Sequence, residues 1–149
     1  MFRRKIYEKL LEWKKTSNGK TALLVEGARR IGKSTVVEAF GKNEYKTYIL
    51  IDFSIASTTV KRLFEDMSDL DYFFLQLQLQ YKTDLYERDS LIILDEIQLC
   101  PLARQAVKAL VKDYRYDYIE TGSLISIRKN VKDILIPSAD DKRSAAKMF

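Results

Sequence analysis

One segment of eight residues limits the fold of this chain more than any other. It reads Gly27-Ala28-Arg29-Arg30-Ile31-Gly32-Lys33-Ser34 and fits the pattern G-x-x-x-x-G-K-[ST] at every fixed position. In this pattern the glycines allow a tight loop whose backbone N–H groups converge on phosphate oxygens. The lysine adds positive charge at the terminal phosphates, and the hydroxyl coordinates Mg²⁺. The segment therefore predicts a loop that holds the phosphate chain of a nucleotide.

The residues on both sides of this loop predict a strand and a helix. An apolar run of strand character covers residues 21–26, and residues 35–40 have helical character before Gly41. A helix that begins at the loop directs free N–H groups and a partial positive charge at a bound anion. The predicted phosphate contacts accordingly extend from Gly27 through Thr35.

Composition restricts the classes of function. A chain of 149 residues with 46% hydrophobic and 32% charged residues is expected to fold as one domain. The net charge of +5 arises from 26 basic and 21 acidic residues that are mixed along the chain. This mixture favours an ordinary solvated surface over a nucleic-acid interface.

Histidine is absent and Cys100 is the single cysteine. An internal disulfide is therefore excluded, and acid–base chemistry falls to carboxylates. No apolar run approaches the ~20 residues of a membrane span, and the N-terminus does not have the pattern of a signal peptide. We therefore expect a cytoplasmic protein without a membrane partner.

Strand and helix patterns alternate along the rest of the chain. Phe2, Ile6, Leu10 and Trp13 recur every three or four residues in a basic segment, which predicts an N-terminal helix over residues 1–16. Its apolar stripe either packs on the core, which we favour, or binds a membrane surface. Further strands are predicted at 45–53, 90–97, 116–119 and 134–137, and helices at 60–86 in two pieces broken near Ser68-Asp69, at 103–114 and at 125–131.

Two positions in this pattern allow a second interpretation. The alternation over residues 74–80 also fits an exposed strand. Asp52 lies at the end of a predicted strand and either approaches a bound metal or has a structural role in the turn, and we favour the structural role. The alternation of strands and helices predicts an α/β fold with a parallel sheet. The predicted domain covers residues 1–137, and residues 138–149 form a short tail.

A second motif lies about 60 residues after the phosphate loop. The apolar run of residues 90–94 ends in Asp95 and Glu96, the pattern of a strand buried on both faces. An aspartate there can hold Mg²⁺ beside the Ser34 hydroxyl. Glu96 can then polarise an attacking water, since a carboxylate is the plausible base in a chain without histidine.

Together these motifs resemble those of the prokaryotic AAA-like P-loop ATPases, whose full-length members carry a winged-helix region and a C-terminal nuclease-like domain. The resemblance spans residues 1 to about 137 and is carried by the phosphate loop with its Arg29, by Leu94-Asp95-Glu96-Ile97-Gln98 and by Thr121-Gly122-Ser123. It implies a three-layer α/β/α P-loop NTPase sandwich, AAA-like, with a mostly parallel central sheet of about five strands. It also implies ATP and Mg²⁺ as cofactors, and Thr121 or Ser123 as a polar sensor near the γ-phosphate.

The C-terminus departs from that family. Family members continue past the fifth strand, whereas this sequence stops at Phe149. We therefore expect a truncated product or a fragment without a lid or C-terminal domain. In the family, that missing region is where a homo-oligomer would form. Arg104, Arg115 and Arg128 are candidates for an arginine finger, but each is also an ordinary surface residue.

The leading hypothesis is a Mg²⁺-dependent ATPase. Lys33 would grip the β- and γ-phosphates, Ser34 and Asp95 would hold the metal, and Glu96 would activate water. The alternatives are a nucleotide-binding module with little turnover, a GTPase and a small-molecule kinase. The GTPase is disfavoured because residues 130–133 contain the letters of Asn-Lys-x-Asp in the wrong order, and the kinase because Glu96 supplies a water-activating base.

Overall fold

A computed structural model describes residues 2–27, 33–123 and 145–147, with side chains for 4–27 and 34–123. The helices are α1 (Phe2–Ser17), α2 (Lys33–Glu44), α3 (Thr58–Leu63), α4 (Leu70–Tyr81) and α5 (Pro101–Asp113). The strands are β1 (Leu23–Gly27), β2 (Thr47–Asp52), β3 (Ser90–Asp95), β4 (Asp117–Ser123) and β5 (Ala145–Lys147). A short 3₁₀ turn, Ile97–Leu99, follows β3.

The strands form one five-stranded sheet in the order β2-β3-β4-β1-β5. Every neighbouring pair is parallel. All carboxyl ends therefore lie at one edge of the sheet, and β4 lies between β1 and β3. The predicted α/β fold with a mostly parallel sheet of about five strands is confirmed.

Helices cover both faces of the sheet, because successive side chains of a strand point to opposite sides. On β3, Ile92 and Leu94 belong to one apolar cluster with α3, α4 and α5. Leu91 and Ile93 belong to a second cluster with α1 and α2. These two cores make the three layers, α/β/α, that the family resemblance implies.

The apolar stripe of α1 packs on the second of these cores. Ile6, Leu10 and Trp13 are all buried, and the basic residues Lys9 and Lys15 are exposed. The core-packing interpretation of this helix is confirmed. No helix in the described ranges is long and apolar enough to cross a membrane.

The ambiguous segment over residues 74–80 is helical, as part of α4. Leu77 is fully buried, whereas Leu75 and Leu79 are 52% and 60% exposed. In a strand these three leucines would share one face, so their different burial reflects the helical period. The helix begins where the break was predicted, because the Asp69 side chain accepts a hydrogen bond from the Tyr72 backbone N–H at 3.0 Å.

Several expectations fall on residues outside the described ranges. These are the helix at 125–131, the strand at 134–137, Arg128 and the loop residues Ala28 to Gly32. The segment predicted as a tail contributes β5, which pairs with β1 at Leu24 to Glu26. The sheet therefore extends beyond the boundary that was predicted at residue 137.

A polar cluster closes the edge of the sheet opposite to the strand carboxyl ends. Asp117 is buried, accepts a hydrogen bond from the Tyr45 hydroxyl at 2.6 Å and forms an ion pair with Arg88. The Arg88 guanidinium lies over the Tyr114 ring, 4.3 Å from its centroid. Gly19 has a φ of +84° and lies so close to Arg88 and Tyr114 that a Cβ there would collide with both.

Candidate functional site

The carboxyl ends of three adjacent strands bring the two sequence motifs together. β1 ends at Gly27, β3 at Asp95 and β4 at Ser123. Gly27 lies opposite Ser123 in the parallel register of β1 and β4. In open α/β sheets ligands bind outside this edge, so the described residues at these strand ends define the candidate site.

Ser34 and Asp95 are in direct contact across the site. The Ser34 hydroxyl, in the first turn of α2, donates a hydrogen bond to Asp95 Oδ1 at 2.8 Å. The two residues are 61 positions apart in the chain. Their contact requires α2 to begin beside the carboxyl end of β3, two strands away from β1.

The donor set of this pair fits Mg²⁺. A hydroxyl and a carboxylate are hard oxygen ligands, and Mg²⁺ at nucleotide sites takes one or two carboxylates together with substrate phosphates and waters. Asp95 is only 5% exposed, so its charge needs a partner of opposite sign or several hydrogen bonds. Ser34 supplies one of those hydrogen bonds.

Thr121 links the two carboxylate residues of the second motif. Its hydroxyl donates to Asp95 Oδ1 and accepts a hydrogen bond from the Glu96 backbone N–H at 3.1 Å. The Thr121 side chain is fully buried. One hydroxyl on the central strand β4 therefore fixes both the Asp95 side chain and the Glu96 backbone.

Glu96 makes a sharp turn directly after β3. Its backbone is left-handed, with φ 55° and ψ 49°, a conformation that is uncommon for glutamate. The next residue, Ile97, is fully buried in the core, and Glu96 itself is 6% exposed. The Gln98 side-chain amide donates a hydrogen bond to Glu96 Oε1 at 2.8 Å. The turn is therefore fixed by the burial of Ile97 and by this contact to the Glu96 side chain.

The other predicted site residues lie at the start of α2 and at the end of β4. Lys33 is the first residue of α2, but its side chain is not among those described, and Thr35 is exposed on the same helix. Ser123 is buried at the end of β4. Of the two candidate sensors, Thr121 contacts Asp95, and Ser123 lies opposite Gly27.

Three further candidates lie elsewhere, and two of them take part in local structure. Asp52 Oδ1 accepts hydrogen bonds from the Ser54 backbone N–H at 2.9 Å and the Ser54 hydroxyl at 2.6 Å, which is the structural turn role. Arg115 forms ion pairs with Asp71 at 2.6 Å and Asp113 at 3.1 Å. Arg104 lies half-buried on α5.

Sequence reasoning did not assign three features of this edge. It noted Gln98 only as a detail of the family pattern and gave Thr121 no contact with Glu96. It also passed over Glu26 and Glu120, which are 0% and 1% exposed near the ends of β1 and β4. A charged residue inside an apolar strand was the signal for the last two.

Comparisons with known proteins agree with this architecture. A family model described as a AAA domain matches residues 19–140. Among solved structures the chain is similar to PCH-2 of C. elegans, with 14% identity and a TM-score of 0.50, over 99% of this chain and 39% of PCH-2. At that identity the similarity concerns the fold, and the chain spans well under half the length of PCH-2. The sequence has no match among curated proteins.

The family match covers most of the chain and includes the phosphate loop, the end of β3 and the end of β4. The fold is that of a nucleotide-binding, ATPase-like module, with its motifs at the carboxyl edge of a parallel sheet. The chain belongs to the AAA domain family.

Proposed function

We propose that this domain binds ATP with Mg²⁺ and hydrolyses the bond between the β- and γ-phosphates. One observation carries the proposal: Ser34 from the phosphate-loop motif donates to Asp95 from the second motif at 2.8 Å. Residues so far apart in sequence meet here in the arrangement by which P-loop enzymes hold a metal ion. The match to the AAA domain family supports ATP as the nucleotide.

Mg²⁺ would neutralise charge on the β- and γ-phosphates when it is bound. The Ser34 hydroxyl and the Asp95 carboxylate are the residues that would hold it. Thr121 orients Asp95 through its hydroxyl, so the carboxylate is positioned before ligand arrives. Lys33, at the start of α2, would pair with the terminal phosphates, and residues 27–32 and Thr35 would surround the phosphate chain.

Glu96 would act as the base for the attacking water. As the water oxygen forms a bond to the γ-phosphorus, the bond from that phosphorus to the β–γ bridging oxygen breaks and ADP leaves. The proton from the water passes to the Glu96 carboxylate. The chain contains no histidine to do this, and Glu96, the residue directly after Asp95, is held by Thr121 and Gln98.

The family resemblance supplies finer expectations that stay predictions. These are a polar sensor role for Thr121 or Ser123, homo-oligomer formation through a C-terminal region, and cytoplasmic localisation. The winged-helix and nuclease-like domains of full-length members likewise stay an implication of the resemblance. Because an arginine from a neighbouring subunit can contribute ~10³-fold or more in rate, we expect the isolated chain to hydrolyse ATP at well below 1 s⁻¹.

Binding and hydrolysis are tested separately with matched variants. Lys33→Ala should weaken ATP binding at least about tenfold in calorimetry, whereas Lys108→Ala removes an exposed helical lysine and should leave affinity unchanged. Chelation of Mg²⁺ should also weaken binding. Unchanged affinity in Lys33→Ala would exclude the phosphate loop as the binding site.

Glu96→Gln keeps the size of the side chain and removes its basicity. We expect this variant to bind ATP normally and to release phosphate roughly 10²-fold more slowly. Glu8→Gln, on the exposed face of α1, is the matched control and should behave like the parent chain. Equal rates for Glu96→Gln and the parent would remove Glu96 from the mechanism; binding without hydrolysis in both would identify a nucleotide-binding module.

A further inference from the structure

Gln98 has an arrangement that folding alone does not explain. It lies in the 3₁₀ turn after β3, and its side-chain nitrogen Nε2 donates to Glu96 Oε1 at 2.8 Å. Its own amide oxygen Oε1 is buried and has no hydrogen-bond partner among the described residues. A buried acceptor without a partner costs about 1–3 kcal/mol, so a leucine or methionine here would be the better choice for stability.

The orientation of the Gln98 amide follows from chemistry. An ionised carboxylate only accepts hydrogen bonds, so the NH₂ group of the amide has to face Glu96 and the amide oxygen has to face away. Hydrogen bonds to a charged acceptor are roughly twice as strong as neutral ones. The unpartnered oxygen is therefore the consequence of placing a donor against the Glu96 carboxylate.

Glu96 needs a separate restraint on its side chain. Its backbone is fixed by the hydrogen bond to Thr121 at 3.1 Å and by the buried side chain of Ile97. Neither contact determines the three side-chain torsions that set where the carboxylate lies. The Gln98 amide contacts the carboxylate itself, through its hydrogen bond to Glu96 Oε1 at 2.8 Å.

We propose that Gln98 is a positioning residue that holds the Glu96 carboxylate in the orientation needed to accept a proton from the attacking water. This inference rests on the proposed function, because it assigns Gln98 a part in the same hydrolysis. In this role Gln98 acts through Glu96 rather than on the nucleotide or the metal. Its loss should therefore slow the chemical step and leave ATP affinity unchanged.

The first test uses Gln98→Met, which keeps the length of the side chain and removes the amide. We expect the single-turnover rate of ATP hydrolysis to fall about tenfold, with the ATP dissociation constant within twofold of the parent. Gln105→Met, at an exposed position of α5, is the matched control and should leave both values unchanged. If Gln98→Met does not fold, as judged by its thermal unfolding, Gln98→Ala replaces it.

A double-mutant cycle distinguishes positioning from a general structural effect. In the Glu96→Gln background, Gln98→Met should cause no further loss, because the carboxylate through which Gln98 acts is already gone. An equal additional loss in that background would overturn the proposal. An unchanged or faster rate in the single variant Gln98→Met would also overturn it, and a faster rate would identify the Gln98 contact as inhibitory.

A readout independent of hydrolysis comes from NMR. The side-chain amide resonance of Gln98, identified by its loss in Gln98→Met, should shift in Glu96→Ala and stay in place in Glu8→Ala. If the chemical shift of this resonance does not change in Glu96→Ala, the proposed contact is overturned, even if the hydrolysis rates of the variants are as expected. If the parent chain binds ATP without hydrolysing it, the proposed function itself fails, whereas loss in Glu96→Gln with none in Gln98→Met refutes the positioning role alone.

Discussion

Replacement of Thr121 by valine tests whether one buried hydroxyl holds the candidate site together. Valine keeps the branched shape of the side chain and removes the donor to Asp95 and the acceptor for the Glu96 N–H. Thr121 is fully buried, so water cannot take over either hydrogen bond without a local opening. The variant therefore isolates the polar contribution of this residue.

The magnitude follows from the two contacts. A hydrogen bond to a charged group contributes about 1.5–3 kcal/mol, and a buried N–H left without an acceptor costs about 1–3 kcal/mol. The additional apolar surface of valine offsets roughly 0.8 kcal/mol of this loss. We therefore expect Thr121→Val to lower the free energy of unfolding by about 2–5 kcal/mol.

Urea unfolding of the apo protein is the assay. With a slope of about 2 kcal/mol per molar urea, the midpoint should fall by about 1–2.5 M. Thr59→Val changes an exposed threonine of α3 and should stay within about 0.5 kcal/mol of the parent. Thr121→Ser keeps the hydroxyl, loses one buried methyl group, and should cost only about 0.8 kcal/mol. A Thr121→Val midpoint equal to that of Thr59→Val would refute this account of the site.

Three further measurements test the packing. Leu77→Ala should lower the free energy of unfolding in urea by about 2–5 kcal/mol, and Leu79→Ala by under about 0.5 kcal/mol, because only Leu77 is buried. Equal losses would contradict the helical register of α4. Gly19→Ala should cost about 1–3 kcal/mol, since it combines a positive φ with a collision against Arg88; a neutral effect would contradict this turn. Burial first, and then the charge of the neighbouring carboxylate, raise the pKa of Tyr45, so unfolding free energy should fall as pH rises above about 10, where the unfolded tyrosine ionises. Tyr45→Phe should flatten that fall, and an unchanged slope would exclude Tyr45 as its source.

Sequence alone was enough for the local features of this protein. Residues 90–95 form a strand buried along its whole length, because a continuous apolar run of that length has no solvent-facing period. The break before α4 was visible as Ser68-Asp69, since aspartate caps a helix through contacts within three residues. Such signals depend on neighbours in the chain, and the alternation of strand and helix then restricts the sheet to parallel strands with helices on both faces.

The tertiary structure decided what depends on the order of the strands. Nothing in the sequence places β4 between β1 and β3, and this position is what brings Thr121 against Asp95 and the Glu96 backbone. Likewise, the leucines of α4 fit two periods equally well. The helix is selected because it buries Phe73, Phe74 and Leu77 together in the core on one face of the sheet. Local sequence patterns determine which residues have side chains suited to binding phosphate or metal. Contacts between residues 25 to 61 positions apart determine which of these side chains act together.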